Sequence, residues 1–170
     1  DLSQTIYDRK QKNTKAWLDE LVLTQNAHSL SFDLEIMKED TRFAGRAKVS
    51  FRARIQQPTA ILSAMLVEKG KQVRLTSNLD GDENRSFVFK MEDEPSDYFV
   101  ITRGWMNAQN RLNNYSKEAI DPDAWYTYSF DFVSNDYTIP KGHTLSLILY
   151  GMDVDQTQLP FVATEIEVDT

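Results

Sequence analysis

Apolar and polar residues alternate strictly along one stretch of this sequence, residues 47–55. Five apolar side chains occupy the odd-numbered positions, and Lys48, Ser50, Arg52 and Arg54 separate them. Because successive side chains of a strand point to opposite faces, this period of two predicts a half-buried strand. Residues 126–132 repeat the pattern with tyrosine and phenylalanine, which favour a pleated sheet. The two segments restrict the chain to folds in which one face of a sheet covers a core.

Seven further segments are predicted to be strands. Residues 61–67 and 145–150 are mostly apolar at successive positions, which is typical of central strands covered on both faces. Residues 162–168 alternate again near the end of the sequence. Weaker patterns occupy residues 31–36, 72–76, 86–90 and 98–103. About nine strands at turn-separated intervals predict an all-β fold, a two-sheet β-sandwich or jelly roll.

Prolines and glycines support these strand boundaries. All five prolines lie between predicted strands, where no ladder N–H is needed: Pro58, Pro95, Pro122, Pro140 and Pro160. Lys141-Gly142 and Asp80-Gly81 are turn signals, while Gly45 and Gly70 stand just outside predicted strands. The prolines and these glycines therefore lie between the predicted strands and interrupt none of them.

Two segments lack the strand pattern. Residues 1–28 form a lead-in in which Trp17, Leu21 and Val22 could build a short amphipathic helix that packs on a neighbouring region. The alternative is a loop held in place by Trp17. The sandwich domain is accordingly predicted to span residues 29–170. Residues 107–122 are a long polar connection of the kind that often forms a functional or interface loop.

Composition excludes several partners. The net charge is −7 and the basic residues are scattered, whereas binding to a phosphate backbone requires clustered Lys and Arg. No apolar run approaches the roughly 20 residues of a membrane helix. Cysteine is absent, which suits a reducing compartment. We therefore expect no nucleic-acid or membrane partner and a cytoplasmic location.

The residues that carry catalysis or bind metals are missing or isolated. No G-x-S-x-G string supplies a nucleophile, and neither of the two histidines, His28 and His143, has a recognisable partner or metal-ligand spacing. His143 follows the Lys141-Gly142 turn, which favours a turn-locking hydrogen bond over a role as a base. We predict no catalytic residue, no metal site and no cofactor.

Residues 80–84 match the first ligand positions of an EF-hand calcium loop. The loop then has Arg85 where glycine is needed and Met91 where the bidentate glutamate belongs. A solvated acidic hairpin tip is therefore favoured over a calcium site.

Four aromatic residues support a rival hypothesis. Trp105, Tyr115, Trp125 and Tyr126 could form the platform on which a sugar ring stacks, which would make the chain a carbohydrate-binding jelly-roll module. Trp125 adjoins the aromatic strand, however, where packing is the more common role. A plain oligomerisation module is the third hypothesis.

Three segments resemble the C-terminal domain of the Xaa-Pro dipeptidyl-peptidases, a serine peptidase family that includes relatives of cocaine esterase. The first runs FAGRAKVSFRAR at residues 43–54 and then AILSAMLVEKG at residues 60–70. The second, TRGWMNAQNR at residues 102–111, is similar to the family's R-G-x-x-[DN]-x-Q-N-R stretch. The third, residues 125–153, resembles its Y-x-F-D-x-x-x-x-D-Y-x-x-x-x-G-H run into a core strand. The chain departs from the family pattern at Ala44, where a small polar residue is usual, and at Ala108, where proline is frequent.

This resemblance implies a galactose-binding-like jelly roll that packs on an α/β-hydrolase domain carrying the catalytic triad. The parent would be a cytoplasmic, homodimeric exopeptidase that acts on proline-containing peptides and releases Xaa-Pro dipeptides. A sequence that opens on Asp1 rather than Met agrees with a piece of a longer chain. We expect Trp105, Asn107, Asn110 and Tyr115 to line the interdomain contact, because the sandwich core alone does not explain this polar, aromatic string.

Overall fold

Alternating apolar residues build most strands of the computed structural model, which describes residues 2–4, 14–79, 87–158 and 163–170. Within these residues, a helix, α1 (Thr14–Leu23), and a 3₁₀ turn (Ala108–Asn110) accompany the strands. The strands are β1 (Leu2–Gln4), β2 (Ser29–Ile36), β3 (Thr41–Gly45), β4 (Lys48–Ile55), β5 (Ile61–Gln72), β6 (Leu75–Leu79), β7 (Phe87–Met91), β8 (Ser96–Asn107), β9 (Tyr126–Asp131), β10 (Asn135–Ile139), β11 (Thr144–Tyr150) and β12 (Thr164–Val168).

Two four-stranded antiparallel sheets form the sandwich. The first sheet has the order β1-β12-β4-β9, and the second has the order β2-β11-β5-β8. Two further pairs, β3 with β10 and β6 with β7, form separate two-stranded sheets. The prediction of an all-β sandwich is confirmed.

The core lies between the inner faces of the two sheets. Strand β5 contributes Leu62, Ala64 and Leu66, while Val49 and Ile55 of β4 face them from the first sheet. The intervening β5 residues, Met65 and Val67, are also fully buried because they point to the opposite side, beneath α1. The predicted two-sided burial of this central strand is therefore confirmed.

Helix α1 covers the outer face of the second sheet. Trp17, Leu21 and Val22 are buried there, and the Trp17 ring meets Tyr150 edge to face at a centroid distance of 5.8 Å. Their spacing places all three on one helical face. Within the described residues, no helix has the length and apolar character needed to span a bilayer. The predicted domain boundary at residue 29 stays a prediction.

Strand β8 contains a bulge that fixes the direction of its last side chains. Leu66 pairs with Thr102 but Val67 pairs with Val100, so Ile101 is an extra residue on β8. Beyond this bulge, Arg103 and Trp105 share the outer face of the second sheet, because they pair with Met65 and Ser63.

Gly104 alternates with these residues on the inner face. A Cβ atom there would lie 2.6 Å from the backbone oxygen of Asp131. Strands β8 and β9 therefore approach one another more closely than any larger residue at this position allows.

The strand predictions differ from the structure at several places. Strand β5 continues to Gln72, so Gly70 lies inside it, where a Cβ would meet the His143 ring. The predicted strand 72–76 is displaced, since β6 begins at Leu75. Strands β1, β3 and β10 were not predicted. The calcium candidate at residues 80–84 and Pro160 lie outside the described residues.

Candidate functional site

The four residues predicted to form an interdomain contact line one open groove at the end of β8. The groove has a volume of about 750 Å³ and is bounded by β8, the following loop and the edge of β9. Trp105 is 39% exposed and Tyr115 is 99% exposed. The structure therefore brings Trp105, Asn107, Asn110 and Tyr115 together in one groove, and their role in an interdomain contact stays a prediction.

Asn107 and its neighbour fix the start of the loop. The Asn107 Oδ1 atom accepts a hydrogen bond from the backbone N–H of Gln109 at 2.9 Å, which caps the 3₁₀ turn. The backbone N–H of Ala108, which is fully buried, donates to the carbonyl of Ala60 at 2.9 Å. A proline, which lacks this N–H, could not make the bond, so the departure from the family pattern at Ala108 adds a contact.

The rest of the loop closes on itself. Asn110 Nδ2 donates to the Ser116 carbonyl at 2.9 Å. The Arg111 guanidinium donates to the carbonyls of Glu118 and Ala119 and lies 4.2 Å above the Tyr126 ring centroid. These bonds close the loop on itself, so the side chains of Asn107, Asn110 and Arg111 have partners within the domain.

The apolar side chains of the same region are left exposed. Leu112 is 73% exposed and lines the groove with Trp105 and Tyr115. We call these three residues the Trp105 surface. Large apolar side chains that share an exposed patch often mark an interaction site. The candidate contact therefore rests on Trp105, Leu112 and Tyr115, while Asn107 and Asn110 shape the loop that presents them.

The four aromatics of the sugar-platform hypothesis do not line this groove together. The Trp125 ring centroid lies 5.8 Å from the Arg52 guanidinium and 5.5 Å from the Arg54 guanidinium, on the outer face of the first sheet. Tyr126 packs beneath Arg111 instead. Only Trp105 and Tyr115 of the four line the groove.

A buried ionic cluster lies at the far end of β5 from this groove. Glu68 is fully buried and accepts hydrogen bonds from Arg74 Nη2 and the Tyr137 hydroxyl, both at 2.7 Å. His143 Nδ1 also contacts the Glu68 carboxylate. We call Glu68, Arg74, Tyr137 and His143 the Glu68 cluster. Burial, reinforced by the bond to Glu68, raises the pKa of Tyr137 to about 12.

The contacts of His143 give it a structural role in the turn and in the Glu68 cluster. Its backbone N–H closes the turn on the Pro140 carbonyl at 3.1 Å, and its own carbonyl accepts from Met37 at 2.9 Å. The ring then reaches Glu68 across the glycine at position 70. His28, the second histidine, lies 3.8 Å from Glu20 beside α1. Among the described residues, no three His, Asp or Glu side chains are grouped to hold a metal ion.

A second buried carboxylate ties α1 to the sheet. Asp153 is fully buried, pairs with Arg103 at 3.2 Å and accepts the Tyr150 hydroxyl at 2.7 Å. Arg103 also lies 6.0 Å from the Trp17 ring centroid. Burial, together with the Asp153 charge, holds the pKa of Tyr150 well above its usual range. The arginine of the R-G string therefore has a structural partner, which sequence spacing alone could not reveal.

Comparison with known proteins decides the family. The model of the X-Pro dipeptidyl-peptidase C-terminal non-catalytic domain matches residues 2–170. The chain belongs to this domain family. The resemblance predicted from the three sequence segments is confirmed, and so is the assignment of the chain as a non-catalytic domain type.

Curated relatives of this C-terminal domain share its sequence over most of its length. The chain is 30% identical over 152 residues to the Xaa-Pro dipeptidyl-peptidase of Lactobacillus helveticus, covering 83% of the chain and 19% of that protein. It is 27% identical over 175 residues to the Xaa-Pro dipeptidyl-peptidase of Lacticaseibacillus rhamnosus, covering 94% and 22% respectively. The chain spans about a fifth of the length of the curated relatives it matches.

A solved structure also supports the fold of this C-terminal domain. An aminopeptidase from a marine sediment archaeon, Thaumarchaeota archaeon, superposes with a TM-score of 0.60 at 14% identity. The superposition covers 98% of this chain and 30% of that one. The sandwich therefore recurs as one part of a larger chain.

Proposed function

We propose that this chain is the C-terminal domain of an Xaa-Pro dipeptidyl-peptidase and that its Trp105 surface docks on the catalytic α/β-hydrolase domain. The observation that carries the docking proposal is the full exposure of Tyr115 on the groove that Trp105 also lines, while the Asn110 and Arg111 side chains bond within the loop. Tryptophan and tyrosine at the centre of a contact contribute much of its binding free energy. A contact of roughly 600–1,500 Å² is typical between domains of one chain.

The proposal extends to the parent enzyme. It would release Xaa-Pro dipeptides from the N-termini of proline-containing peptides with a serine nucleophile in the hydrolase domain, and it would act as a cytoplasmic homodimer. The curated relatives that match this chain are named as Xaa-Pro dipeptidyl-peptidases, which supports this activity. In such a protein the present domain would limit how far the active-site entrance opens, because it is braced against the hydrolase domain.

The activity is tested by chromophore release from a Gly-Pro-anilide substrate. We expect the full-length protein that contains this sequence to release the chromophore and this chain alone to release none. Absence of release by the full-length protein would overturn the peptidase assignment. Release by the isolated chain would overturn its non-catalytic role.

The docking surface is tested by Tyr115→Ser and Trp105→Ser in the full-length protein. Because Tyr115 is 99% exposed, its replacement should leave the melting temperature of the isolated chain unchanged. In the full-length protein, proteases should release the domain at least ten-fold faster. Leu34→Ser is the matched control, since Leu34 is 54% exposed on β2, outside the groove. Equal release rates for Tyr115→Ser and the control would refute the surface. Asn110 is unsuitable, because its side chain holds the loop.

A further inference from the structure

Strands β6 and β7 form a hairpin that presents an apolar face to solvent. Among the described strands they pair only with each other. Leu75 pairs with Met91, and Phe89, two positions before Met91 in β7, lies on the same face. Leu75 is 60% exposed, Met91 is 53% exposed and Phe89 is 66% exposed. We call Leu75, Phe89 and Met91 the arm face. A two-stranded ribbon that exposes large apolar side chains on one face lacks the cover that stabilises such pairs.

The base of this hairpin is fixed to the sandwich. The backbone N–H of Glu92 donates to the Arg74 carbonyl at 2.9 Å, and the Glu92 carboxylate accepts from the Arg74 N–H at 3.0 Å. The Ser96 hydroxyl donates to the same carboxylate at 2.8 Å. The Arg74 guanidinium is anchored in the Glu68 cluster. The hairpin therefore starts from a position set by buried ionic bonds, which sets the direction in which it leaves the domain.

The arm face and the Trp105 surface are separate. Lys90 lines a groove together with Lys15 and Asp19 of α1. Since strand side chains alternate, Phe89 and Met91 point to the hairpin face opposite Lys90, away from α1. Trp105 lies on the α1 side of the second sheet, near the other end of the 12-residue β8. At 3.3 Å per residue, about 35 Å of strand separates the two ends.

We propose that the arm face packs on an apolar surface of the same polypeptide's remaining part, so that this domain is held at two points. The proposal rests on one part of the proposed function, because it requires this chain to be one domain of a longer polypeptide. Matched relatives extend over about five times the length covered by this chain, which leaves about four-fifths of such a polypeptide to supply the partner surface.

A partner surface within the same polypeptide is favoured over a second copy of the protein for two physical reasons. Segments joined in one chain meet at an effective concentration in the millimolar range, whereas separate copies must pay translational entropy to associate. Two copies would each also bring a net charge of −7, and like charges oppose their approach. An intramolecular partner therefore covers the arm face at protein concentrations where a second copy would not.

Hydrogen exchange measures this cover directly. The backbone amides of residues 87–91 are followed in this chain alone and in the full-length protein, at 1 and 50 μM. We expect exchange at least ten-fold slower in the full-length protein at both concentrations. Phe89→Ser combined with Met91→Ser should abolish the difference, while Lys90→Ser, on the opposite face of β7, should preserve it.

Each outcome decides the proposal. The deciding ratio is the exchange rate in this chain alone divided by the rate in the full-length protein. A ratio below ten at both concentrations overturns the proposal. A ratio that reaches ten only at the higher concentration assigns the arm face to a second copy and also overturns it. A ratio unaffected by the Phe89 and Met91 replacements shows that other residues are covered instead. If the full-length protein fails to cleave the Gly-Pro-anilide but still slows amide exchange at least ten-fold, the peptidase assignment is refuted and the two-point attachment stands.

Discussion

Replacing Arg74 by methionine should destabilise this domain by about 3–5 kcal/mol, because it removes one partner of a buried ion pair. The Arg74 side chain is 6% exposed and the Glu68 side chain is fully buried. Arg74 also donates to the carbonyls of Gly70 and Ser96, both at 2.6 Å. The variant leaves the Glu68 charge with Tyr137 and His143 as its remaining partners, and it removes the Arg74 donor from two part-buried carbonyls.

Urea unfolding followed by tryptophan fluorescence measures the change. With a slope of about 2 kcal/mol per molar urea for a domain of this size, the midpoint should fall by roughly 1.5–2.5 M. Arg42→Met is the matched control, because Arg42 makes a bidentate pair with Asp136 in which both side chains are more than half exposed. Surface pairs of this kind contribute little, so the control midpoint should barely move.

The double variant Arg74→Met, Glu68→Gln separates charge from packing. A neutral amide at position 68 can still accept from the Tyr137 hydroxyl, and it carries no uncompensated charge. If the loss comes from the buried charge, the double variant should be more stable than Arg74→Met alone by at least about 1 kcal/mol. An equal or larger loss in the double variant, or equal midpoints for Arg74→Met and Arg42→Met, would refute the reasoning.

Three other predictions concern the sandwich itself. Gly104→Ala should cost at least about 2 kcal/mol in unfolding free energy, because its Cβ would lie 2.6 Å from the Asp131 backbone oxygen, and an unchanged urea midpoint would contradict this. Tyr128→Phe should stabilise the domain by about 1 kcal/mol at pH 7 in the same assay, since the fully buried Tyr128 hydroxyl has no hydrogen-bond partner among the described residues. Burial raises the pKa of Tyr128 to about 12, from about 10 in the unfolded chain. Between pH 10 and 12 the hydroxyl therefore ionises in the unfolded chain first, and the stability that the raised pKa contributes, which is fully present below pH 10, is lost as the pH rises. The difference between wild type and Tyr128→Phe should therefore widen by up to about 2 kcal/mol across that interval, and a constant difference would exclude the shift.

The sequence predicts the strands whose side chains alternate or are wholly apolar, since those patterns report burial directly. Strands β4, β9, β5 and β11 were all located in this way. Strands β3 and β10 were missed, because each spans five residues, is mostly exposed and gains its order from the other strand. Pairing between segments some 90 positions apart leaves no periodic signal in either one.

The sequence predicts an interdomain contact at Trp105, Asn107, Asn110 and Tyr115, because the core does not account for this polar, aromatic string. The structure places these four residues along one groove, and their role in a contact stays a prediction. The structure gives Arg103 a buried partner in Asp153 and gives Asn107 and Asn110 roles in the loop. Asp153 lies 50 positions from Arg103 in the sequence, so the tertiary structure alone reveals that pair.

The Glu68 cluster was missed for a related reason. The predicted strand stopped at Val67, because a charged residue normally marks the end of a buried segment. Glu68 continues β5 nonetheless, since Arg74, Tyr137 and His143 arrive from three other segments to satisfy its carboxylate. The resemblance strings contain Glu68, Tyr137 and His143, but nothing in the strings indicates that these residues meet.

The single extra residue in β8 has a consequence for how such domains can change over evolution. Losing Ile101 would leave the later pairs of β8 with β5 unchanged, since Val100 would still pair with Val67 and Thr102 with Leu66. Trp105 would therefore stay on the outer face, and Gly104 would stay against Asp131. In a regular part of a strand, a one-residue deletion instead exchanges the faces of the later residues or shifts their pairing. Ile101 is therefore a position at which β8 can lose a residue and keep the Trp105 surface.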